Sequence, residues 1–286
     1  MRRLLPALLC AFSFTLNAQE LPAWISPEGL DDPHVGQVLD TANGIWLTPA
    51  MLVESLVSAP HVLVGEKHDN PDHHRLQLWL LQRLHEVRPQ ASLLMEMIDP
   101  SQQAAVDRLQ GKLTDEAQLP AELAWGEGWD WTLYGPLVRW GLVESQHLLT
   151  ANISQDEMKA IYQNPDELAG IYSAQAREVL NDAIATSHCG KLPQSQFPAM
   201  LAVQQQRDQR MAKQLADAPK NALLMAGNYH VRKDIGIPLH WPVEGVAPPL
   251  VVMLIEAGGA LPDRSQADFV WLTAAMPEID YCAQWE

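Results

Sequence analysis

Five stretches of the chain consist of nearly unbroken hydrophobic positions, without the polar alternation that a half-exposed strand shows. Such runs are typical of strands that are covered on both faces, as in a parallel sheet. We therefore predict five buried strands, at 61–66, 91–97, 147–153, 221–227 and 250–257.

The segments between these runs carry apolar residues three and four positions apart, which is the spacing of an amphipathic helix. They are 71–88, 101–111, 134–146 and 196–218. Strand and helix therefore alternate along the chain, which is the pattern of the α/β class. We predict a mainly parallel open sheet flanked by helices.

Two further regions depart from this alternation. The strand pattern lapses over about 154–198, where the composition is mostly helical, so we predict a smaller inserted helical subdomain there. Ahead of the first central strand, Asn43 and Gly44 lie between two short apolar runs, which predicts a hairpin with a type I′ turn. Thr48 and Pro49 then suit the cap and first position of a short helix.

The N-terminus has the pattern of a secretory signal peptide, because Arg2 and Arg3 precede a short apolar run. The run is too short to span a bilayer. We expect a signal peptide over 1–18 and an exported domain over 19–286, periplasmic or associated with the cell envelope. A lipid anchor at Cys10 is the less favoured alternative, because the residue before this cysteine is not small.

Removal of this leader would leave two cysteines, Cys189 and Cys282. An even pair in an oxidising compartment favours one disulfide. Two unpaired buried thiols are the alternative.

Charge and motif content exclude several classes of function. The formal net charge of −16 repels nucleic acid and anionic lipid, so we expect no nucleic-acid partner. The chain has no G-x-S-x-G elbow, P-loop or G-x-G-x-x-G fingerprint, which argues against a serine hydrolase, an NTPase and a dinucleotide enzyme.

Ionisable residues follow most of the predicted strands. Glu66 ends the first strand with His68 just beyond it, Glu96 ends the second, and His230 follows the fourth. Because the carboxyl ends of parallel strands meet at one edge of a sheet, we expect these four side chains to line one cleft. Each alone has an ordinary explanation as a capping or loop group, but their joint placement favours a functional site.

The helix predicted after the first strand begins inside a histidine-rich segment. Asn70 suits its N-cap and Pro71 its first position, which places His73 and His74 in the opening turn. The helix dipole there disfavours imidazolium, so we expect neutral rings. The histidine spacing matches no standard zinc motif, and metal ligands stay unassigned.

A second cluster, between 124 and 134, is aromatic and contains Trp125, Trp129, Trp131 and Tyr134. The indoles either fill the top of the core or line a pocket for a flat apolar ligand. Tyr134 and Tyr229 are the phenols nearest the predicted cleft. Tyrosine is one known axial ligand of haem iron.

Six segments, in this order and spacing, resemble the ChaN family of haem-binding proteins, within the wider Tiki, TraB and erythromycin-esterase-like superfamily. They are GQVLDTANGIWLTP, VLVGEKHDNPDHH, LLMEM, WDWTLYGPLV, LAVQQQRDQRMA and GNYHVRKDIGIP. The resemblance runs from about residue 35 to 281. It implies a parallel α/β core with a smaller helical part, export to the cell envelope, and haem binding linked to iron uptake.

The resemblance also implies tyrosine ligation of haem at a dimer interface, with a histidine nearby. By position it makes Tyr134, Tyr229 and His230 the candidates for the iron ligand. His74 and Arg207 are further candidates for haem contact. Arg207 would pair with a carboxylate of the protein, of a substrate or of a haem propionate, and the alternative is an ordinary surface arginine of the helix. Expected partners are haem, outer-membrane haem uptake components and a second copy of the chain.

Two hypotheses follow. The leading one is an exported, non-catalytic protein that binds haem and assists haem or iron uptake. The alternative is an envelope hydrolase of ester or peptide bonds, with or without a metal ion. There Glu66 or His68 would act as general base, Glu96 would orient or share the proton, and His230 would stabilise or protonate the leaving group.

Overall fold

The computed structural model describes residues 20–242 and 245–283. The predicted signal peptide and Cys10 lie outside these described residues. The strands are β1 (Val38–Asp40), β2 (Ile45–Leu47), β3 (His61–Glu66), β4 (Ser92–Met95), β5 (His147–Thr150), β6 (Ala222–Gly227), β7 (Leu250–Glu256) and β8 (Phe269–Thr273).

Within the described residues these strands form one sheet in the order β2-β1-β8-β7-β3-β6-β4-β5. All neighbours from β8 to β5 are parallel, whereas β1 is antiparallel to both β8 and β2. The predicted mainly parallel open sheet is therefore confirmed. The five predicted strands are β3 to β7, of which β4 and β5 end earlier than predicted.

The predicted hairpin joins β1 to β2, but its turn is not type I′. That turn needs positive φ at both central residues, whereas Gly44 is the residue of this turn with positive φ, at 66°. Four residues, 41–44, connect the strands instead of two, and the Asp40 carboxylate stabilises this loop by accepting hydrogen bonds from the backbone N–H groups of Ala42 and Asn43. Gly44 N–H then closes the turn on the Asp40 carbonyl, at 2.8 Å.

Helices cover both faces of the sheet. They are α1 (Pro49–Leu56), α2 (Pro71–Val87), α3 (Gln103–Leu109), α4 (Leu119–Glu122), α5 (Trp131–Val143), α6 (Gln155–Gln163), α7 (Ala174–Ser187), α8 (Phe197–Asp217) and α9 (Asn228–Val231). Short 3-10 helices occupy Pro100–Gln102, Gln194–Gln196 and Ile237–His240.

The central strand β3 explains why its sequence is hydrophobic without alternation. Val62 and Val64 join the core formed with α2 and α5, while Leu63 faces the opposite core, which includes Met211 of α8. Successive side chains point to opposite faces, so a strand covered on both faces needs an apolar residue at every position.

The segment predicted as a helical insertion holds α6 and α7, between β5 and α8. Ser154 and Ser173 cap these helices through their side chains. The insertion has only a small core, to which α7 contributes Ala176 and Leu180. No helix in the described part of the chain is long and apolar enough to cross a bilayer.

Candidate functional site

The sheet topology brings the predicted strand-end residues together. Glu66 at the end of β3 lies in register with Gly227 at the end of β6. The next strand, β4, leads into Glu96, whose Oε2 accepts a hydrogen bond from Gly227 N–H at 2.9 Å. Glu66, His68, Glu96 and His230 line the same groove.

Glu66 is the centre of the first cluster. It is 1% exposed, and its Oε1 accepts a hydrogen bond from the Tyr134 hydroxyl at 2.8 Å and lies 2.8 Å from His68 Nδ1. Burial and the Glu66 carboxylate raise the pKa of Tyr134 far above its ordinary value. Tyr134 therefore stays protonated and acts as a hydrogen-bond donor to the carboxylate.

His68 connects this cluster to the groove. Burial lowers its pKa, but the hydrogen bond to Glu66 and the nearby carboxylates outweigh burial, so the pKa is raised. The side chain is 44% exposed and packs edge-on against Trp129, with ring centroids 5.0 Å apart. Nε2 lies beside Gly227, where an added Cβ would approach within 2.8 Å. Glu66 therefore orients a histidine whose second nitrogen is available to a ligand.

His230 is the centre of the second cluster. Its Nδ1 lies 2.6 Å from Asp208 Oδ1, and its Nε2 lies 3.4 Å from Glu96 Oε1. Burial would lower the pKa of His230, but Glu96 and Asp208 outweigh burial and raise the pKa to about 10. His230 is therefore an imidazolium at neutral pH, with a carboxylate at each nitrogen and no lone pair for a metal ion.

The two carboxylates around His230 are themselves buried. Burial would raise the pKa of Glu96, yet His230, His68 and Arg207 hold it well below the usual range. For Asp208, burial prevails and raises the pKa to about 6. At neutral pH the cluster thus contains two carboxylates around one imidazolium, and Arg207 Nη1 lies 4.0 Å from Glu96 Oε1.

Sequence reasoning missed Asp208 and Gln204, which both lie on α8. Gln204 Nε2 is 3.3 Å from Asp208 Oδ2 and 3.0 Å from His230 Nδ1. Asp208 interrupts the apolar stripe that contains Leu201, Met211 and Leu215. A charged residue within such a stripe is the signal that could have identified it, since a buried charge requires a partner.

Above the two clusters lies a groove of about 680 Å³. Its walls are mainly apolar and come from α7, α8 and β7. Lys67, His188 and Tyr229 also line it, and Tyr229 is 50% exposed. A second cavity of about 410 Å³ shares four lining residues with the groove, namely Glu96, Trp129, Met158 and Arg207.

The remaining residues predicted to contact haem differ in how far they lie from the groove. His74 is buried behind Glu66, with its Nε2 3.3 Å from Glu66 Oε2 and 3.0 Å from the His68 carbonyl oxygen. Arg207 is partly exposed on the groove wall. The structure therefore brings Arg207 and Tyr229 to the groove, whereas Tyr134 and His74 lie beneath it.

The aromatic loop divides between the two roles that its sequence allowed. Trp129 lines the groove. Trp125 and Trp131 instead pack against each other, with ring centroids 5.0 Å apart, on the hydrophobic core. All three indoles therefore pack against the core, and Trp129 contributes to the groove as well.

The histidine-rich helix start serves mainly to hold the fold. The Asn70 side chain caps α2 by accepting hydrogen bonds from the N–H groups of Asp72 and His73. His73 is fully buried, accepts a hydrogen bond from Lys67 N–H at Nδ1, and contacts the Thr273 hydroxyl. Its pKa lies well below the ordinary value, as expected, although burial is the largest cause.

Metal-binding geometry is not found in residues 20–242 and 245–283, where no three His, Cys, Asp or Glu side chains are arranged to hold an ion. Cys189 and Cys282, by contrast, form a disulfide, which resolves the alternatives left open by the sequence.

A family of known proteins matches this architecture. The model of the haem-binding uptake family ChaN, of the Tiki superfamily, matches residues 52–240. The chain belongs to this family. The match spans β3 to α9, and so includes both clusters and the insertion. A comparison with curated proteins finds no match.

Three solved structures with similarity to this chain are reported, and the first of them agrees with membership of the ChaN family. A structure described as cofacial haem binding to ChaN of Campylobacter jejuni is 27% identical, with a TM-score of 0.73, covering 82% of this chain and 95% of that chain. An erythromycin esterase is 12% identical, with a TM-score of 0.46, covering 72% of each chain. A type III effector is 14% identical, with a TM-score of 0.43, covering 78% of this chain and 91% of that chain.

Proposed function

We propose that this protein binds haem in the groove and assists haem or iron uptake without turnover. The observation that carries the proposal is an apolar groove at the strand ends, in a chain of the haem-binding uptake family, with a half-exposed tyrosine on its wall. Export, the haem ligand and the assembly state are parts of the same proposal.

The residues present fit haem. The groove volume of about 680 Å³ falls within the range of roughly 300–1,000 Å³ for small-molecule and cofactor sites. Bound haem supplies ferric iron, for which tyrosine is a known ligand, and two carboxylates. The groove offers a phenol from Tyr229, apolar walls, and the cations of Lys67 and Arg207.

Tyr229 is the proposed iron ligand because the other candidates are engaged. The Tyr134 hydroxyl donates a hydrogen bond to Glu66, and Tyr134 is only 1% exposed. Both nitrogens of His230 face carboxylates. The Tyr229 phenol is half exposed, so on binding the iron it would release its proton to solvent without leaving a buried acceptor unsatisfied.

Arg207 is the proposed contact for a haem propionate. Its Nη1 is 4.0 Å from Glu96 Oε1, longer than a hydrogen bond, and its Nε has no hydrogen-bond partner. A carboxylate in the groove could therefore form a charge-assisted pair with this guanidinium without displacing a tight interaction. Lys67 is less free, since its Nζ lies 2.9 Å from Glu256 Oε2.

Hemin titration followed in the Soret region tests the proposal. We expect saturable binding by the wild-type protein. Tyr229→Phe should weaken binding by at least about tenfold, equal to about 1.4 kcal/mol. Tyr134→Phe is the matched control, because it removes a hydroxyl that lies beneath the groove. Binding that never saturates would contradict the proposal.

We further propose export to the cell envelope, supported by the N-terminal leader pattern and by a disulfide, which persists in oxidising compartments.

A second copy of the chain would cover the exposed Tyr229 at a haem-containing interface, and outer-membrane uptake components would supply or accept haem. Cell fractionation tests export. A mass that doubles on hemin addition supports the dimer, and a constant mass counts against it.

Hydrolysis of an ester bond is the second candidate function. It is favoured by the Glu66–His68 pair, in which a buried carboxylate orients a half-exposed imidazole. His68 would take a proton from water as the water oxygen attacks the carbonyl carbon, and would return that proton to the departing alcohol. Arg207 would stabilise the negative oxygen of the intermediate.

Turnover of p-nitrophenyl esters tests this second function. Activity should be lost in Glu66→Gln, whereas Glu116→Gln, at a surface carboxylate paired with Arg139, should be unaffected. Equal turnover by both variants would exclude a role of Glu66 in ester hydrolysis. Circular dichroism of each variant controls for unfolding.

A further inference from the structure

The C-terminal segment 276–283, here called the strap, runs from the sheet to the helical insertion. It begins beside β7, where Met276 N–H donates to Glu256 Oε1 at 3.2 Å. Further along, the Tyr281 hydroxyl donates to Asp69 Oδ2 at 2.5 Å. Cys282 then forms the disulfide with Cys189, just after α7. The strap therefore has its anchors on two different parts of the fold.

These anchors flank the groove. Lys67 and Glu256, which line it on the sheet side, form an ion pair next to Asp69. Ser187 and His188 line it on the side of α7, immediately before the bonded Cys189. The strap thus joins the two sides, through a hydrogen bond at the sheet and a covalent bond at α7.

The second half of α7 is held by few buried contacts, and its Ile184 is only partly buried where it packs on the small core of the insertion. The buried residues of this helix, Ala176 and Leu180, both lie in its first half. From 181 to 189 no residue is buried. Few buried contacts mean a low free energy of local opening. The disulfide is therefore the covalent restraint on this side of the groove.

We propose that the Cys189–Cys282 disulfide is a redox-modifiable site that sets how readily the groove opens, and that its reactant is a dithiol. Neither cysteine is buried, so a thiolate can approach. One thiolate of the dithiol attacks a cystine sulfur and releases the other cysteine. The second thiolate closes the reductant's own disulfide and releases the remaining cysteine. Two electrons and the two protons of the dithiol pass to the protein, so both cysteines end as thiols.

Reduction releases the second half of α7 from the strap, because the hydrogen bonds of Met276 and Tyr281 hold the strap to the sheet side and not to α7. Faster exchange of haem is the consequence for function. That consequence rests on the proposed function, whereas the movement of α7 does not.

Hydrogen–deuterium exchange of the ligand-free protein tests the strap directly. Dithiothreitol should speed amide exchange at 181–189 and 276–283 by at least about tenfold, with little change in the first half of α8. Cys189→Ser/Cys282→Ser should show the fast exchange with and without reductant. Tyr281→Phe keeps the disulfide and should change exchange much less. Unchanged exchange at 181–189 in reduced wild-type protein would overturn the proposal.

Hemin dissociation, measured by transfer to excess apomyoglobin, tests the effect on the groove. The rate should rise severalfold in reduced wild-type protein and in the double serine variant. If amide exchange at 181–189 becomes faster on reduction but hemin dissociates at the same rate from oxidised and reduced protein, the disulfide does not control the groove. If wild-type protein binds no hemin, the proposed function fails, while the exchange result still decides the mobility of α7.

Discussion

The charge state of His230 gives the sharpest electrostatic prediction. Asp208→Asn removes the charge of the nearer carboxylate, whose Oδ1 lies 2.6 Å from Nδ1, but keeps an oxygen that accepts a hydrogen bond. The pKa of His230 should fall from about 10, since an opposite charge at this distance accounts for about 1–3 units. We expect a value of about 7–9, because Glu96 remains at 3.4 Å.

The magnitude follows from the size of the shift. Raising the pKa from its ordinary 6.5 to about 10 corresponds to about 5 kcal/mol of preference for imidazolium, shared between Glu96 and Asp208. The two carboxylates more than offset burial, which alone would make the ring neutral. Loss of one carboxylate should therefore remove a substantial part of the preference for imidazolium.

The assay is a pH titration of the His230 ring by NMR, assigned with His230→Gln. Asp217→Asn is the matched control, because this aspartate lies on the same helix at the surface, paired with Lys213. The wild-type ring should stay charged above pH 9. A wild-type midpoint near 6.5, or an unchanged midpoint in Asp208→Asn, would refute the proposed charge state.

Three further outcomes are expected. Tyr134→Phe should lower the unfolding free energy in urea by about 1.5–3 kcal/mol, since it removes a hydrogen bond to a buried carboxylate, whereas Tyr229→Phe should change it little. Gly227→Ala should displace the His68 ring, because its Cβ would lie 2.8 Å from Nε2, and a shifted His68 NMR titration would reveal this. Finally, the stabilisation from protonated His230 is complete below about pH 6.5 and is lost as pH rises through about 10. The wild-type unfolding free energy should therefore fall over this interval more than that of His230→Gln, and parallel curves would contradict it.

The fold was predictable where hydrophobic pattern alone determines structure. The run 61–66 became β3 at its predicted bounds, because every position of that strand is buried. The strand β8 was missed, although its five residues are all buried and four of them are hydrophobic. Its partner β1 is antiparallel, so this edge of the sheet lies outside the strand–helix alternation on which the prediction relied.

The position of the candidate site could be predicted from the sequence, but the role of each residue in it could not. Strand ends correctly placed Glu66, Glu96 and His230 around one groove, since parallel strands share an edge. The depths of Tyr134 and Tyr229 were not predictable, because burial depends on how α5 and α9 pack on the sheet. Asp208 was missed for a similar reason, as its contact with His230 joins residues 22 positions apart.

Resonance Raman spectroscopy of the hemin complex tests most directly the claim that haem binds in the groove through Tyr229. The wild-type and Tyr134→Phe complexes should show the vibrations of a tyrosinate bound to ferric iron, and Tyr229→Phe should lack them. Tyrosinate vibrations that survive in Tyr229→Phe, or that disappear in Tyr134→Phe alone, would contradict the assignment.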